Sequence, residues 1–357
     1  MTLRIDLCGP PGERVRFAAS PLAELTAMLH VLAEPGHHPA LAGWAGDVWA
    51  GLAPEQAERL REAEVLWRSS QADFLLPARP RPTLAEELDD VDRIPDETYA
   101  TAALVTTCGG TRFRSPVPSP LTDPVARDRA LEVAAARGPR HEAFAERLLT
   151  DPAAVRTRVR RTLERCAEAF FDAAWTGVAA RLEADLRVKN DLVRRQGIGA
   201  ALTAVSGAVT AAPDGDRIVV DKLQDKATSG STVTFIPSVF NRPHLVVVHA
   251  PGWQPVVQYP VADPTAPVSL STVTRRLEAL SHPVRLRLLR TLARAPHTTG
   301  ELAHTWELTP PEVSRHLAVL REAGLLTTRR EGRYVRYTLD QGAVSTLGTD
   351  LLSAVLR

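Results

Sequence analysis

The stretch TPPEVSRHLAVL, residues 309–320, carries two different surfaces if it is helical. Val313, Leu317 and Leu320 recur at the spacing of a buried stripe, and Pro311, Ser314, Arg315 and Ala318 fall on the opposite face. That outward face is short, small and basic. Ser and Arg can donate to base edges and phosphates, and nothing bulky holds the helix away from them, so the surface suits a major groove. Glu312 is the one discordant charge on it. Downstream, LLTTRREGRYVRYTLD reads as two β-runs around Glu331-Gly332, with Val335, Tyr337 and Leu339 alternating inward. Arg329, Arg330, Arg333 and Arg336 cluster near the turn and give the hairpin a basic tip.

Other residues with chemical potential do not assemble into a constellation by spacing. Cys108 precedes two glycines in TTCGGTRF, yet no Lys or strand-to-helix phosphate loop accompanies it, so it reads as a small buried residue. His37-His38 stands beside Pro39 and reads as a turn and helix start, because adjacent imidazoles diverge. His141-Glu142, His244 and His249 lack helical metal spacing. No grouping supplies nucleophile, base and orienter, so no catalytic residue, cofactor or metal ligand is expected.

The elements that must position the basic surface are explicit in the sequence. Thr309 is an N-cap, Pro310 occupies the first helical position, and Glu312 stands at the capping-box position. Glu301 to Thr305 forms a preceding helix, four residues earlier, with Leu302 and Ala303 facing inward. Ala303 is small enough to permit a close crossing. Helix, turn, helix and basic hairpin together make a winged helix-turn-helix.

LSHPVRLRLLRTL, VSRHLAVLREAGL and REGRYVRYTL extend that pattern over the whole winged core, which resembles the ArsR-type bacterial transcriptional regulators. The resemblance implies a homodimeric regulator, more often a repressor than an activator, with a recognition helix from Pro310 to Ala323. By that match Thr309, Pro311, Ser314, Arg315 and His316 face the operator, although His316 beside the apolar stripe reads better as a packing or phosphate-bonding residue. Two departures stand out. Glu307 occupies the turn position that usually holds Gly, after Trp306, so a longer or altered turn is expected. The metal-sensing members carry a Cys pair where this chain has Ala303-His304-Thr305, and the C-terminal helix offers only Asp350. One carboxylate and a surface histidine cannot hold an ion, so the winged helix is not expected to sense metal.

With 357 residues and 44% hydrophobic content, the chain can bury more than one core. The three Cys are too few and scattered for a disulfide framework and fit a reducing cytoplasm. No apolar run approaches the ~20 residues of a membrane span, so a soluble cytoplasmic protein is expected. The overall charge of +1 conceals an asymmetry: residues 273–340 hold twelve Arg against seven acids, leaving the first 272 residues acidic. Only the winged segment has a polyanion-binding balance.

The domain reading follows. Residues 1–258 form a mixed α+β domain, 259–269 a Pro-rich linker (YPVADPTAPVS), 270–340 the winged helix-turn-helix, and 341–357 a dimerisation helix. Within the first domain, strands are expected at Leu3–Leu7 and Arg14–Ala18, then a helix capped by Ser20-Pro21, then helices to about Gly197. DRIVVDK, STVTFIP and HLVVVHA follow as strands, with QPVVQYP as a short edge strand. VRFAASPLAELTAMLHVLAEPGHHP and FIPSVFNRPHLVVV resemble an N-terminal domain of undefined function found fused to ArsR-like winged helices, over roughly residues 1–260. This domain is expected to bind a small-molecule effector of unknown identity. The alternatives are a protein-interaction scaffold or, least favoured, a fused enzyme. Trp44, Trp49, Trp67, Phe74, Phe170, Phe171 and Trp175 could line an apolar pocket, or simply form core. Dimerisation is assigned to Ser271–Ala279 and Val344–Leu356, whose Leu347, Leu351, Leu352 and Val355 form an apolar stripe.

Overall fold

The computed structural model describes residues 2–109, 118–212, 215–221, 225–261, 270–331 and 334–355. It divides into two compact units, Met1–Asp263 and Pro264–Arg357, in a mixed helix and strand architecture. Most of the Pro-rich segment, residues 262–269, lies outside the described residues. Among the described residues no helix is long and apolar enough to cross a membrane.

The N-terminal unit opens with β1 (Thr2–Leu7) and β2 (Val15–Phe17). Helix α1 (Pro21–Ala33) follows, its amide of Ala23 donating to the Ser20 hydroxyl with Pro21 in the first turn. The cap satisfies an otherwise orphaned N–H, and Pro removes another donor where none is needed. Leu22, Leu25, Met28, Leu29 and Leu32 of α1 are buried, at the centre of a helical core. Around it lie α2 (Ala42–Gly51), α3 (Pro54–Ala63), α4 (Leu84–Asp92), α5 (Asp96–Cys108), α6 (Pro124–Ala135), α7 (Pro139–Thr150) and α8 (Pro152–Cys166). A π-helical turn, Ala167–Phe171, joins α8 to α9 (Asp172–Gln196). The wider turn rotates the chain, so Phe171 is buried beside Val155, Val159, Leu163 and Cys166 while Phe170 is only half-buried. Helices do not stop near Gly197 as the periodicity predicts, because α10 (Ile198–Val205) follows directly.

Two four-stranded sheets complete the unit. The first comprises β3 (Val209–Ala211), β4 (Arg217–Asp221) and β5 (Lys226–Gly230) with β1, in the order β3-β4-β1-β5. The second comprises β6 (Val233–Ser238), β7 (Val246–Val248) and β8 (Val256–Pro260) with β2, in the order β2-β6-β8-β7. QPVVQYP is therefore interior and not an edge: β8 pairs in parallel with β6 and antiparallel with β7. Its polar Gln258 survives there because the side-chain amide donates to the Ala23 carbonyl at 2.9 Å, tying the sheet to α1. β6 is buried along its length, the expected consequence of a central strand covered on both faces. A second core lies between these sheets and α10, built from Leu3, Ile5, Ala201, Leu202, Phe235 and Tyr259.

The C-terminal unit consists of α11 (Leu270–Leu280), α12 (Pro283–Leu292), α13 (Thr299–Trp306), α14 (Pro310–Glu322), the antiparallel pair β9 (Leu326–Glu331) and β10 (Tyr334–Leu339), and α15 (Gln341–Ser345) and α16 (Leu347–Val355). Leu288, Leu292, Leu302, Val313, Leu317, Leu320 and Leu325 form its core. A buried ion pair between Arg276 and Asp350, at 3.0 Å, joins α11 to α16. Val335 does not turn inward with its strand. It is 41% exposed, and inward packing begins only at Tyr337, where β10 exchanges backbone hydrogen bonds with His297.

Candidate functional sites

α14 presents the face read from its sequence. Pro311, Ser314 and Arg315 are exposed, Ala318 is half-buried, and Val313, Leu317 and Leu320 are fully buried. Thr309 is exposed at the N-terminus of the helix. Its backbone N–H and its hydroxyl donate to the Glu312 carboxylate at 3.0 and 2.7 Å. These bonds hold Glu312 below its ordinary pKa, so the one acidic group near the face is turned back onto the helix start, where a negative charge complements the dipole. His316 packs instead against His282, ring centroids 4.9 Å apart, and burial is the main cause of its lowered pKa. The structure thus separates His316 from the polar face and places it against the N-cap residue of α12.

The turn before α14 is compact. Three residues separate it from α13, and Glu307 adopts φ 52° and ψ 40°, the left-handed conformation that glycine takes most easily. The departure from Gly thus leaves the turn geometry in place and loads it with a strained side chain. Trp306 is half-buried, its indole N–H donating to the Thr291 hydroxyl at 3.1 Å.

On the hairpin, Arg329 and Arg330 are exposed on β9. Arg336 lies opposite Arg329, directed toward Glu301 at 3.6 Å and the Pro296 carbonyl at 3.4 Å. Gly332 and Arg333, at the expected tip, lie outside the described residues. α11 and α16 pack together, leaving Leu270, Leu277 and Val355 exposed and Leu347, Leu351 and Leu352 half-buried.

In the N-terminal unit the aromatic residues serve as core. Trp67, Phe74 and Phe171 are buried, and Trp44, Trp49, Phe170 and Trp175 pack against the same cluster. Cys108 and Cys166 are buried, and desolvation pushes their thiols up to about 11 and about 12, far from a reactive thiolate.

Sequence spacing missed one grouping altogether. His30 at the end of α1, His38 in the turn that follows, and His244 in the β6–β7 connection converge, one ring nitrogen from each lying within 4.8 Å of the others. His30 Nε2 stands 3.2 Å from His244 Nε2. His30 Nδ1 is 2.9 Å from the Trp67 carbonyl, and His38 Nδ1 is 2.5 Å from the Arg242 carbonyl. A carbonyl oxygen only accepts, so both Nδ1 atoms carry the proton and both Nε2 atoms present lone pairs. His38 Nε2 is buried without a hydrogen-bond partner, and His37, its ring 5.4 Å from that of His244, has a buried Nδ1 in the same condition. Burial lowers the pKa of His30 and brings that of His38 to about 4, so these imidazoles are neutral near pH 7. The helical register of His30 and the turn at His38 are separately readable, but nothing local points to His244.

Comparison with known proteins divides the chain in the same two parts. Residues 1–265 match the model of a family of unknown function, DUF5937, and residues 280–329 match a helix-turn-helix domain model. A biofilm growth-associated repressor of Agrobacterium fabrum is 41% identical over 71 residues, 20% of this chain and 61% of the relative. The chain thus spans about three fifths of that protein's length. The helix-turn-helix transcriptional regulator CmtR of Mycobacterium bovis is 37% identical over 86 residues, 24% of this chain and 73% of the relative. Among solved structures, reduced HlyU from Vibrio cholerae is 32% identical, with 22% of this chain and 84% of that one covered and a TM-score of 0.20.

Proposed function

The chain belongs to the DUF5937 family and ends in an ArsR-type helix-turn-helix domain, and from that premise we propose that it is a sequence-specific DNA-binding transcriptional regulator. The observation that carries this reading is the outward face of α14: exposed Thr309, Pro311, Ser314 and Arg315, with its acid folded back and its apolar stripe buried. A recognition helix needs that division of faces to approach base edges. Arg329, Arg330, Arg333 and Arg336 supply phosphate contacts beside it, and His316 supports the helix from behind through His282.

The regulator acts as a homodimer. Leu270, Leu277 and Val355 on the paired α11 and α16 are the apolar surface a second copy would cover. It acts as a repressor, in line with the name of the Agrobacterium relative, and it works in the cytoplasm where its operator is. The N-terminal unit is the effector-sensing part, biasing the dimer between DNA-competent and incompetent states.

Genome-wide binding of the tagged full chain, with transcript levels in a deletion strain, tests the reading. A small set of sites sharing a two-fold motif, with neighbouring transcripts rising on deletion, is the expected result. Uniform low occupancy without a motif would overturn it.

A further inference from the structure

We propose that His30, His38 and His244 form a mononuclear binding site for a zinc-class divalent ion inside the N-terminal unit. This replaces the expectation of no metal ligands drawn from sequence spacing. It is independent of the DNA-binding reading, since it rests on residues of the other unit alone.

Three features of the geometry carry it. First, two imidazole nitrogens bound about 2.0–2.1 Å from one tetrahedral ion lie roughly 3.3–3.4 Å apart, and the Nε2 atoms of His30 and His244 stand 3.2 Å apart. Second, metal-ligating histidines characteristically donate their remote N–H to a backbone carbonyl, which fixes tautomer and ring orientation. His30 does so to Trp67 and His38 to Arg242. Third, His38 Nε2 is buried and has no hydrogen-bond partner, in a residue only 3% exposed. A hydrogen bond between His244 and His30 would account for the closest pair. It would leave the His38 lone pair without a donor, whereas a cation satisfies all three nitrogens together.

The surroundings fit such a site. The loop bearing His244 is braced by Asn241, whose carbonyl accepts from the His244 N–H at 2.7 Å and whose side-chain amide donates to the His244 carbonyl at 2.9 Å. The same loop is fastened to α1 by Glu24, which accepts from the Val239 and Phe240 amides. The ligand atoms are thus held on two pinned segments, the preorganisation a metal site requires. The donor set decides the class of ion. Three imidazoles with no thiolate and no carboxylate in the group suit Zn²⁺, Co²⁺, Ni²⁺ or Cu²⁺ and do not suit Mg²⁺ or Ca²⁺. Nearby Glu34 is engaged by Arg68 at 2.6 Å. Three protein ligands leave further coordination positions for water or an anionic small molecule, the arrangement of an open site.

The test uses untagged full-length protein stripped with a chelator. Titration with Co²⁺ should produce the intense visible bands of low-symmetry four- or five-coordinate cobalt, saturating at one ion per chain and bleached by Zn²⁺. His38→Gln and His244→Gln should each weaken binding by roughly tenfold or more, since even loss of an outer-sphere partner has that effect. ¹⁵N-histidine NMR of the wild-type chain supplies a readout that does not depend on variant folding: Zn²⁺ should move three Nε2 resonances. Only the weak spectrum of hydrated octahedral cobalt, or unchanged imidazole resonances, would overturn the site. Full-strength binding by both folded variants would overturn it equally, by placing the ion elsewhere.

Discussion

The two candidate sites differ in how far along the chain their parts lie from one another. The α14 face is assembled within one helix, and its defining bonds from Thr309 to Glu312 span three residues. The histidine cluster is joined by contacts spanning 214 residues, from His30 to His244, and 204, from His38 to Arg242. Helical periodicity alone decides which residues share the first surface, so substitution there acts through the surface. The second exists only when a sheet-borne loop docks on α1, so its chemistry and the stability of that docking are one problem. Perturbations of the two units should accordingly differ in kind as well as in size.

The largest effect belongs to the α14 face. Ser314→Ala combined with Arg315→Ala should lower affinity for the specific site by ~2–6 kcal/mol, at ~1–3 kcal/mol for each side chain that no longer reaches its base, while random duplex is affected far less. Neither side chain packs in the core, so thermal stability should barely change. Equal losses on specific and random DNA, measured by fluorescence anisotropy, would reduce both residues to phosphate contacts and remove the helix's reading role.

The N-terminal docking is sensitive to pH in a direction that can be worked out. Burial raises the carboxyls of Glu24 and Glu87 from an ordinary 4.5 to about 7 against their hydrogen bonds, and Glu24 Oε2 has no hydrogen-bond partner. Between those values each of these two carboxyls binds more protons in the folded chain than in the unfolded one, so its contribution to stability falls as pH rises. The protonated-state advantage is fully present below pH 4.5 and is lost as pH climbs through about 7. Each group contributes about 3 kcal/mol over that window. His30 and His38, whose pKa values burial lowers, contribute the opposite slope below 6.5, so the carboxyl share is read as a difference: across pH 5 to 8 the wild type should lose stability relative to Glu24→Gln in denaturant melts of the full chain. A wild-type stability that gains on that of the variant as pH rises would contradict the assignment and loosen the clamp between α1 and the His244 loop.

That contrast also explains what is legible in the sequence. The winged core, the caps of α1 and α14, and strands such as β6 announce themselves through apolar period and local capping chemistry. β5, KATSG, has no such period and is extended because its backbone pairs in parallel with β1. β8 reads as an edge strand because it is short and flanked by prolines, and only the docking of Gln258 onto Ala23 shows why it can be central. His38 and its neighbours read as turn residues for the same reason: the partner that gives His38 meaning arrives two hundred positions later. Local signals report elements well and report tertiary coincidence not at all.

Smaller than either of the first two effects is that of the hairpin. Neutralising Arg330 and Arg333 should reduce the slope of log affinity against log salt by up to about two per protomer, since each phosphate contact releases nearly one counterion. Between low and physiological salt this amounts to roughly tenfold in affinity. Arg336 should contribute less, because it is directed toward Glu301 and the Pro296 carbonyl. An unchanged slope accompanied by altered stability would reassign these arginines to intramolecular pairing.

The smallest prediction concerns Glu307, where the local rule and the observed geometry disagree. A non-glycine residue at φ 52° strains its Cβ against its own backbone, by roughly 1–2 kcal/mol. Glycine relieves that strain but gains more freedom in the unfolded chain, which returns part of the benefit. Glu307→Gly should therefore raise the stability of the C-terminal unit by about 0.5–1 kcal/mol, seen as a small increase in its melting midpoint, with the N-terminal transition unmoved. The side chain is exposed, so the change leaves core packing intact. DNA affinity should hold steady as well, because the turn already has the conformation that glycine would adopt. A loss of stability would mean that Glu307 makes a compensating interaction stronger than its strain. A loss of DNA affinity at unchanged stability would instead show that this turn residue reaches the operator, and would extend the reading face backward from α14 into the turn.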